Sequence, residues 1–549
     1  MFRNRPGARR SMPVVAAMAA SISMPWAGES QALFEAFAAA GGVHSHIPNV
    51  ANAGADFVAA DRRAHQVRIQ VELKPEHSGD GLDDAPAFHQ ALRRARAILD
   101  ADSATQGVQL IVPPGRWELE TPLFIDRSHL SVIGSGSTST ILHFFRPLVR
   151  MMEPARMVDD EWSYRGGCVW IENGRIPRPF GSHWVSMPLS GPIPEGATRC
   201  RLVDGRHSTV AATLIGRTVF MKTTGGQKWL ESIYGHAPTA PAFDRAEWSY
   251  LRKGNTARFE EANRIVGFDG EWFTLAKPVR VAVEHGATAM IGVRQGELTA
   301  VEIRDLGIDF PAHQVQEHLK DLGYNGFFIR AANGVVLDRV AIHNADNGVI
   351  IERSAHCTAR GISFTGDPEQ KMHHAVSIRS VSTDNLISDF SIDGKVHHGI
   401  SVQDLSAGNV FVRGRMAYGT FDCHRGMPFD TVRTDIDITP IGSGGGAEGP
   451  LCGRRVVNWN VRIHWTDRDE RVRPERRARF EAAITAPQSY VRGALVGITG
   501  APVQPDAVPW MLPPGDKETL VVDWGIAPAI VDLYAAQRRW WQSMRPEGR

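Results

Sequence analysis

Three histidine-bearing stretches decide the reading of this chain: KMHHAVSIR (371–379), HHGISVQ (397–403) and FDCHRGMPF (421–429). The first two share a histidine pair, a small residue, then alternating apolar and polar positions. YNGFFIR (324–330) and DNGVIIE (346–352) fit the same template, with Asn in place of the second His. Aligned on the small residue, Gly326, Gly348, Ala375 and Gly399 recur at spacings of 22, 27 and 24. Recurrence of this kind marks a repeat architecture, in which each unit buries its apolar face by stacking on the next.

A second strand recurs downstream of each: VVLDRVAIH (335–343), TARGISF (358–364), LISDFSID (386–393), VFVRGRM (410–416), TVRTDIDIT (431–439) and VVNWNVRIH (456–464). Asn385 and Asn409 precede two of these strands and are expected to stack as an asparagine ladder. Coils in such a stack lie about 4.8 Å apart, so equivalent residues of successive coils are near neighbours.

Upstream, GDGLDDAPAFHQALRRARAILDA (79–101) offers Asp83 or Asp84 as a helix N-cap, and Ala87, Ala91 and Ile98, with Phe88, Leu92, Ala95 and Leu99, form an apolar stripe at helical spacing. LIVPPGRWELETPLFI (110–125) and LSVIGSGSTSTIL (130–142) then read as short strands broken by Pro-Pro-Gly and Gly-Ser-Gly turns. This helix-and-strand opening resembles that of the pectate-lyase-like right-handed parallel β-helix proteins, whose first helix caps the open end of the stack. The resemblance implies an all-β fold: a right-handed parallel β-helix with an N-terminal capping helix, a β-rich insertion and a C-terminal helix. The superfamily holds lyases, hydrolases, fructotransferases, epimerases and tailspikes, so it implies a fold without choosing a reaction.

The expected organisation is a signal peptide at 1–32, an N-terminal cap and first coils at 33–150, and an insertion at 151–300. The main β-helix follows at 301–465, then a tail with a terminal helix at 466–549. The insertion is rich in Trp and Pro, with a hairpin signal at Asp269-Gly270 and an irregular segment (222–262) expected to overhang a groove. A basic start, the apolar run 12–24 and small residues up to Ala27 or Ala32 suggest export to the periplasm or medium. That run is too short to span a bilayer.

With 61 basic and 60 acidic residues the chain has no electrostatic footprint for nucleic acid or an anionic membrane. Five scattered cysteines without a CxxC pair argue against a zinc knuckle or a disulfide framework. The expected partner is a polysaccharide or oligosaccharide, and homo-oligomerisation is left open.

Strand alternation assigns the chemistry. With Phe327/Ile329, Val349/Ile351, Val376/Ile378 and Ile400/Val402 pointing inward, the outward set is Phe328/Arg330, Ile350/Glu352, Ser377/Arg379 and Ser401/Gln403. The same parity carries Tyr324, Asp346, His373 and His397 outward and leaves Asn325, Asn347, His374 and His398 at the corner. His424 and Arg425 extend the row.

Neutral His suits proton transfer near pH 7, and Arg neutralises a carboxylate. HHGISVQDLS (397–406) is similar to the Gly-His-Gly segment of the polygalacturonase family, but the coils lack that family's Asp-Asp pair and its Arg-Ile-Lys. Hydrolysis needs paired carboxylates; Asp346, Glu352, Asp404 and Asp422 are dispersed, which also leaves calcium unsupported and no cofactor expected. β-Elimination on a uronate glycan fits the residues better. His374 or His398 would be the base, Arg425 or Arg379 the neutraliser, and His424 or Tyr324 the acid. Tyr324, Arg379, His373, His397, Gln403 and Lys371 would bind substrate. A glycoside hydrolase or fructotransferase, or a non-catalytic glycan-binding solenoid, is the alternative. The 397–438 stretch also resembles poorly characterised bacterial β-helix proteins assigned to polysaccharide degradation.

Overall fold

A computed structural model describes residues 28–544, except 62–64, 71–80, 102–105, 153–161, 174–183, 236–255, 442–451, most of 466–489, and 502–517. Residues 1–27 of the expected signal, the middle of the 222–262 segment and the Pro-rich part of the tail lie outside the described residues.

The fold is a right-handed parallel β-helix of about 13 turns. The capping helix spans Ala85–Ala101. Asp83 Oδ1 accepts hydrogen bonds from both Ala85 N and Glu120 N at 3.0 Å, so one carboxylate caps the helix and ties it to the first coils. Of the expected stripe, Phe88, Ala91, Leu92, Ala95 and Leu99 are buried in the main core, while Ala87 and Ile98 are half-buried.

Two sheets make the solenoid wall. The longer holds fifteen strands and reaches from His65–Gln70 to Leu520–Val522. Its ladder skips a residue at equivalent places in several coils, and Asp305, Arg339, Asp389, Arg413, Asp435 and Asn460 there have φ between 52° and 58°. Left-handed residues stacked coil upon coil turn the chain by the same angle each time. The expected asparagine ladder is present: Asn385 Nδ2 donates to Asn409 Oδ1 at 2.9 Å, both fully buried.

The second sheet has seven strands: Leu123–Ile125, Val169–Ile171, Asn325–Arg330, Asn347–Glu352, Met372–Arg379, Val396–Val402 and Phe421–Cys423. Val169–Ile171 pairs directly with Asn325–Arg330, so the coil closes across the long excursion between them. Within that excursion six antiparallel strands from Trp184–Ser190 to Thr288–Arg294 form a closed barrel with its own core, including Met187, Val219, Phe273 and Ile291. Gly270 (φ +103°) turns the Asp269-Gly270 hairpin.

Buried charges seat the barrel on the solenoid. Lys277 pairs with Asp384, and Arg280 Nη2 lies 2.5 Å from the same carboxylate. Arg280 also meets Asp430, which holds Arg455 at 2.7 Å.

The C-terminal helix Leu533–Ser543 is capped by Asp532, whose Oδ1 accepts from Ala535 N at 2.8 Å. It covers the flank of the long sheet, where Val410, Val412, Val432, Val457 and Trp459 present an apolar surface. The helix Glu29–Ala39 joins it there, with Phe37 edge-on to Trp540 at 5.2 Å. Among the described residues no helix is long and apolar enough to cross a membrane.

Candidate functional site

The last five strands of the second sheet stack in register to form the face that carries the histidines. One column runs Asn325, Asn347, His374, His398. The middle column runs Phe124, Trp170, Phe328, Ile350, Ser377, Ser401, Asp422. A third runs Arg330, Glu352, Arg379, with Gln403 beyond them and Arg425 hydrogen-bonded to it. The middle column therefore passes from aromatic to hydroxyl to carboxylate along the solenoid. Trp170 and Phe328 are buried, so the aromatic end is no exposed platform for sugar rings.

The corner assignment needs correcting. A Cβ added at Gly348 would meet Phe364 Cε1 at 2.3 Å, and one at Gly399 would meet Met416 Cε at 2.5 Å, so the small residues face the core. The next apolar residue faces the core as well, and two consecutive inward positions break the alternation. His374 and His398 therefore stand on the same side as Asp422 rather than at a separate corner. Phe328 and Ile350, expected outward, are buried too.

His374 and His398 stack with centroids 4.7 Å apart and planes 14° from parallel, and His373 stacks on His374 at 4.4 Å. Asn347 Oδ1 lies 3.2 Å from His374 Nδ1, and Asn347 Nδ2 donates to Asn325 Oδ1 and Ser163 O, each at 3.0 Å. At the other end Asp422 Oδ2 lies 2.9 Å from His398 Nδ1 and 3.1 Å from His424 Nδ1. Lys371 Nζ approaches His397 Nδ1 at 3.1 Å.

Burial, with the neighbouring imidazoles, pushes His374 well below the usual histidine range and His397 down to about 3. His398 is lowered by burial, with Asp422 opposing. Asp422 is held below the usual carboxylate range: burial works against its charge, but His398 and His424 outweigh it.

Arg425 Nε donates to Gln403 Oε1 at 3.2 Å, and Gln403 Nε2 to Ser377 Oγ at 3.3 Å. Arg379 lies over the Tyr164 ring at 5.5 Å and beside Glu352 at 3.5 Å; burial lowers its pKa. The site thus brings together His373, His374, His397, His398, His424 and Lys371, with Arg379, Gln403 and Arg425 alongside. Tyr324 stands apart, its ring tilted 30° against His313, four strands from Phe421–Cys423, about 19 Å at one strand spacing per coil.

Sequence reasoning passed over the loop PAHQVQEHLKDLG (311–323). Its Asp321 Oδ2 lies 2.8 Å from His373 Nδ1, His318 packs 5.4 Å from both His373 and His397, and His313 Nε2 lies 3.0 Å from Asp346 Oδ1. The available signal was five ionisable residues, His313, Glu317, His318, Lys320 and Asp321, in one short segment directly before the first template strand. Asp346 also accepts from Gly323 N and Tyr324 N at 2.9 Å, so it is bound into the loop.

No family model and no curated protein matches the chain. Among solved structures it is similar to the tailspike protein gp49 of Pseudomonas phage LKA1, at 14% identity and a TM-score of 0.40 over 68% of this chain and 56% of the tailspike. The mannuronan C-5 epimerase AlgE4 A-module of Azotobacter vinelandii matches at 13% identity and a TM-score of 0.37, covering 84% of this chain and 96% of the module. The catalytic domain of a GH87 α-1,3-glucanase matches at 8% identity and a TM-score of 0.30, covering 79% and 53%. By its stacked coils, its parallel ladders and its capping helix, the chain has the pectate-lyase-like right-handed parallel β-helix fold.

Proposed function

We propose that the protein cleaves a uronic-acid-containing glycan by β-elimination on the face formed by strands 325–330 to 421–423. The observation that carries this reading is His424: its imidazole is partly exposed, its Nδ1 is held by the buried Asp422, and Arg425 follows it. With Nδ1–H directed at the carboxylate, Nε2 carries the lone pair, as a base requires.

Arg425 neutralises the C6 carboxylate and so acidifies the C5 proton. His424 Nε2 takes that proton, the C4–C5 double bond forms and the C4–O4 bond breaks. The protonated imidazole then returns the proton to the departing oxygen, which makes one residue both base and acid. His374 and His398, named first as bases from sequence, are buried in the imidazole stack and serve here to position Asp422.

The carboxylates of this face are already engaged. Asp346 is bound by backbone and His313, Glu352 adjoins Arg379, and Asp422 adjoins two histidines. A hydrolase needs two carboxylates free to flank the scissile bond. Export would bring the protein to such polymers. Cleavage after Ala27 would leave the helix Glu29–Ala39 whole, with Ser30 buried against Asp523.

The test is incubation with a panel of uronate polysaccharides. Product absorbance near the ultraviolet edge from the C4–C5 double bond supports elimination. Shortened products without that chromophore would indicate hydrolysis, and binding without shortening a non-catalytic solenoid.

A further inference from the structure

We infer that His374, His398 and Asp422 form a binding site for a divalent transition-metal ion of the zinc type. One ligand atom from each of the three lies within 4.8 Å of the others, and all three side chains are more than nine-tenths buried. His374 Nε2, His398 Nε2 and Asp422 Oδ1 have no hydrogen-bond partner among the described residues. A buried polar atom without a partner is destabilising, and native interiors rarely leave several side by side. Ser401 Oγ and Thr420 Oγ1, which flank Asp422 in the stack, are in the same condition.

The donor set selects the ion. Two imidazole nitrogens and one carboxylate oxygen suit zinc and its first-row neighbours, whereas calcium and magnesium take oxygen ligands. Zinc–ligand distances of about 2.0–2.2 Å require the three side chains to draw together and one stacked ring to turn about Cβ–Cγ. Three protein ligands leave the fourth tetrahedral position for water or a substrate oxygen.

The site shares Asp422, His374 and His398 with the elimination reading but stands on the ligand atoms alone, so its test uses no substrate. The untagged full chain, stripped with a chelator, is titrated with Co²⁺ and read by the visible d–d band, then with Zn²⁺ by calorimetry and thermal denaturation. The expected result is one equivalent bound, a tetrahedral cobalt spectrum and a raised Tm. In Asp422→Asn and His398→Gln binding falls at least tenfold, while His318→Ala binds like the parent. Circular dichroism confirms that the variants are folded; should either buried variant fail to fold, His374→Gln takes its place. No cobalt band and no calorimetric heat on the parent chain would overturn the proposal. So would loss of binding in His318→Ala with retention in Asp422→Asn, which would place the ion on His318, His373 and His398 instead.

Discussion

His374 lies flat on His398, rings 4.7 Å apart and 14° from parallel, although 24 residues separate them in the chain. Coil register alone brings them together. The same register continues through Asn347 and Asn325, so the histidine stack prolongs an amide ladder.

Truncating that ladder should be costly. In Asn347→Ala the oxygen of Asn325 and the backbone oxygen of Ser163 lose their donor inside the protein. The expected loss is about 1–3 kcal/mol, the cost of buried polar groups left unmatched. Urea denaturation of parent and variant measures it; equal midpoints would show that water replaces the amide freely.

His424→Gln should lower the rate of unsaturated-product formation by about 10²–10⁴-fold, the usual contribution of a general base. Its side chain is partly exposed, so the denaturation midpoint should barely move. A variant with parental turnover would remove His424 from the chemistry.

Asp384→Asn should loosen the barrel. Lys277 and Arg280 outweigh the cost of burying Asp384 and hold it down at about 2. Without the charge Lys277 stays buried without its ion-pair partner and Arg280 keeps only its longer contact to Asp430, a loss of about 3–5 kcal/mol. Limited proteolysis should then cut around the barrel at protease levels the parent resists.

Acid should weaken the same interface through His356, which burial, with Lys277 adding to it, lowers to about 3. Its folded pKa lies below the unfolded value of 6.5, so its share of stability is complete above 6.5. That share is lost as pH falls from 6.5 towards 3. Glu261, raised by burial to about 7, works in the opposite sense. Comparing the parent with His356→Asn isolates the histidine: their stability difference should shrink between pH 7 and pH 4.5, and a constant difference would refute the assignment.

The solenoid was legible because its signal repeats: periodic apolar residues and asparagines 24 apart constrain one another in every coil. The capping helix was legible for a local reason, a carboxylate before an apolar stripe. The orientation of His374 and His398 was not, because alternation fails where Gly348 and Gly399 turn their missing side chains towards Phe364 and Met416. Asp321 and His318 were missed since a loop has no period to show which strand it will cover. Asp422 was seen as a dispersed acid; His424 is two residues on, but His398 lies a coil away, and only three-dimensional register brings it within 2.9 Å.

The barrel has one further consequence. Its first and last strands lie side by side, Trp184 opposite Arg294, so the chain leaves the solenoid and returns to it through the same doorway. A module whose two ends meet can be lifted out and bridged by a short linker without stretching the coils it interrupts. It can equally be transplanted into another solenoid, taking its half of the charged seat with it.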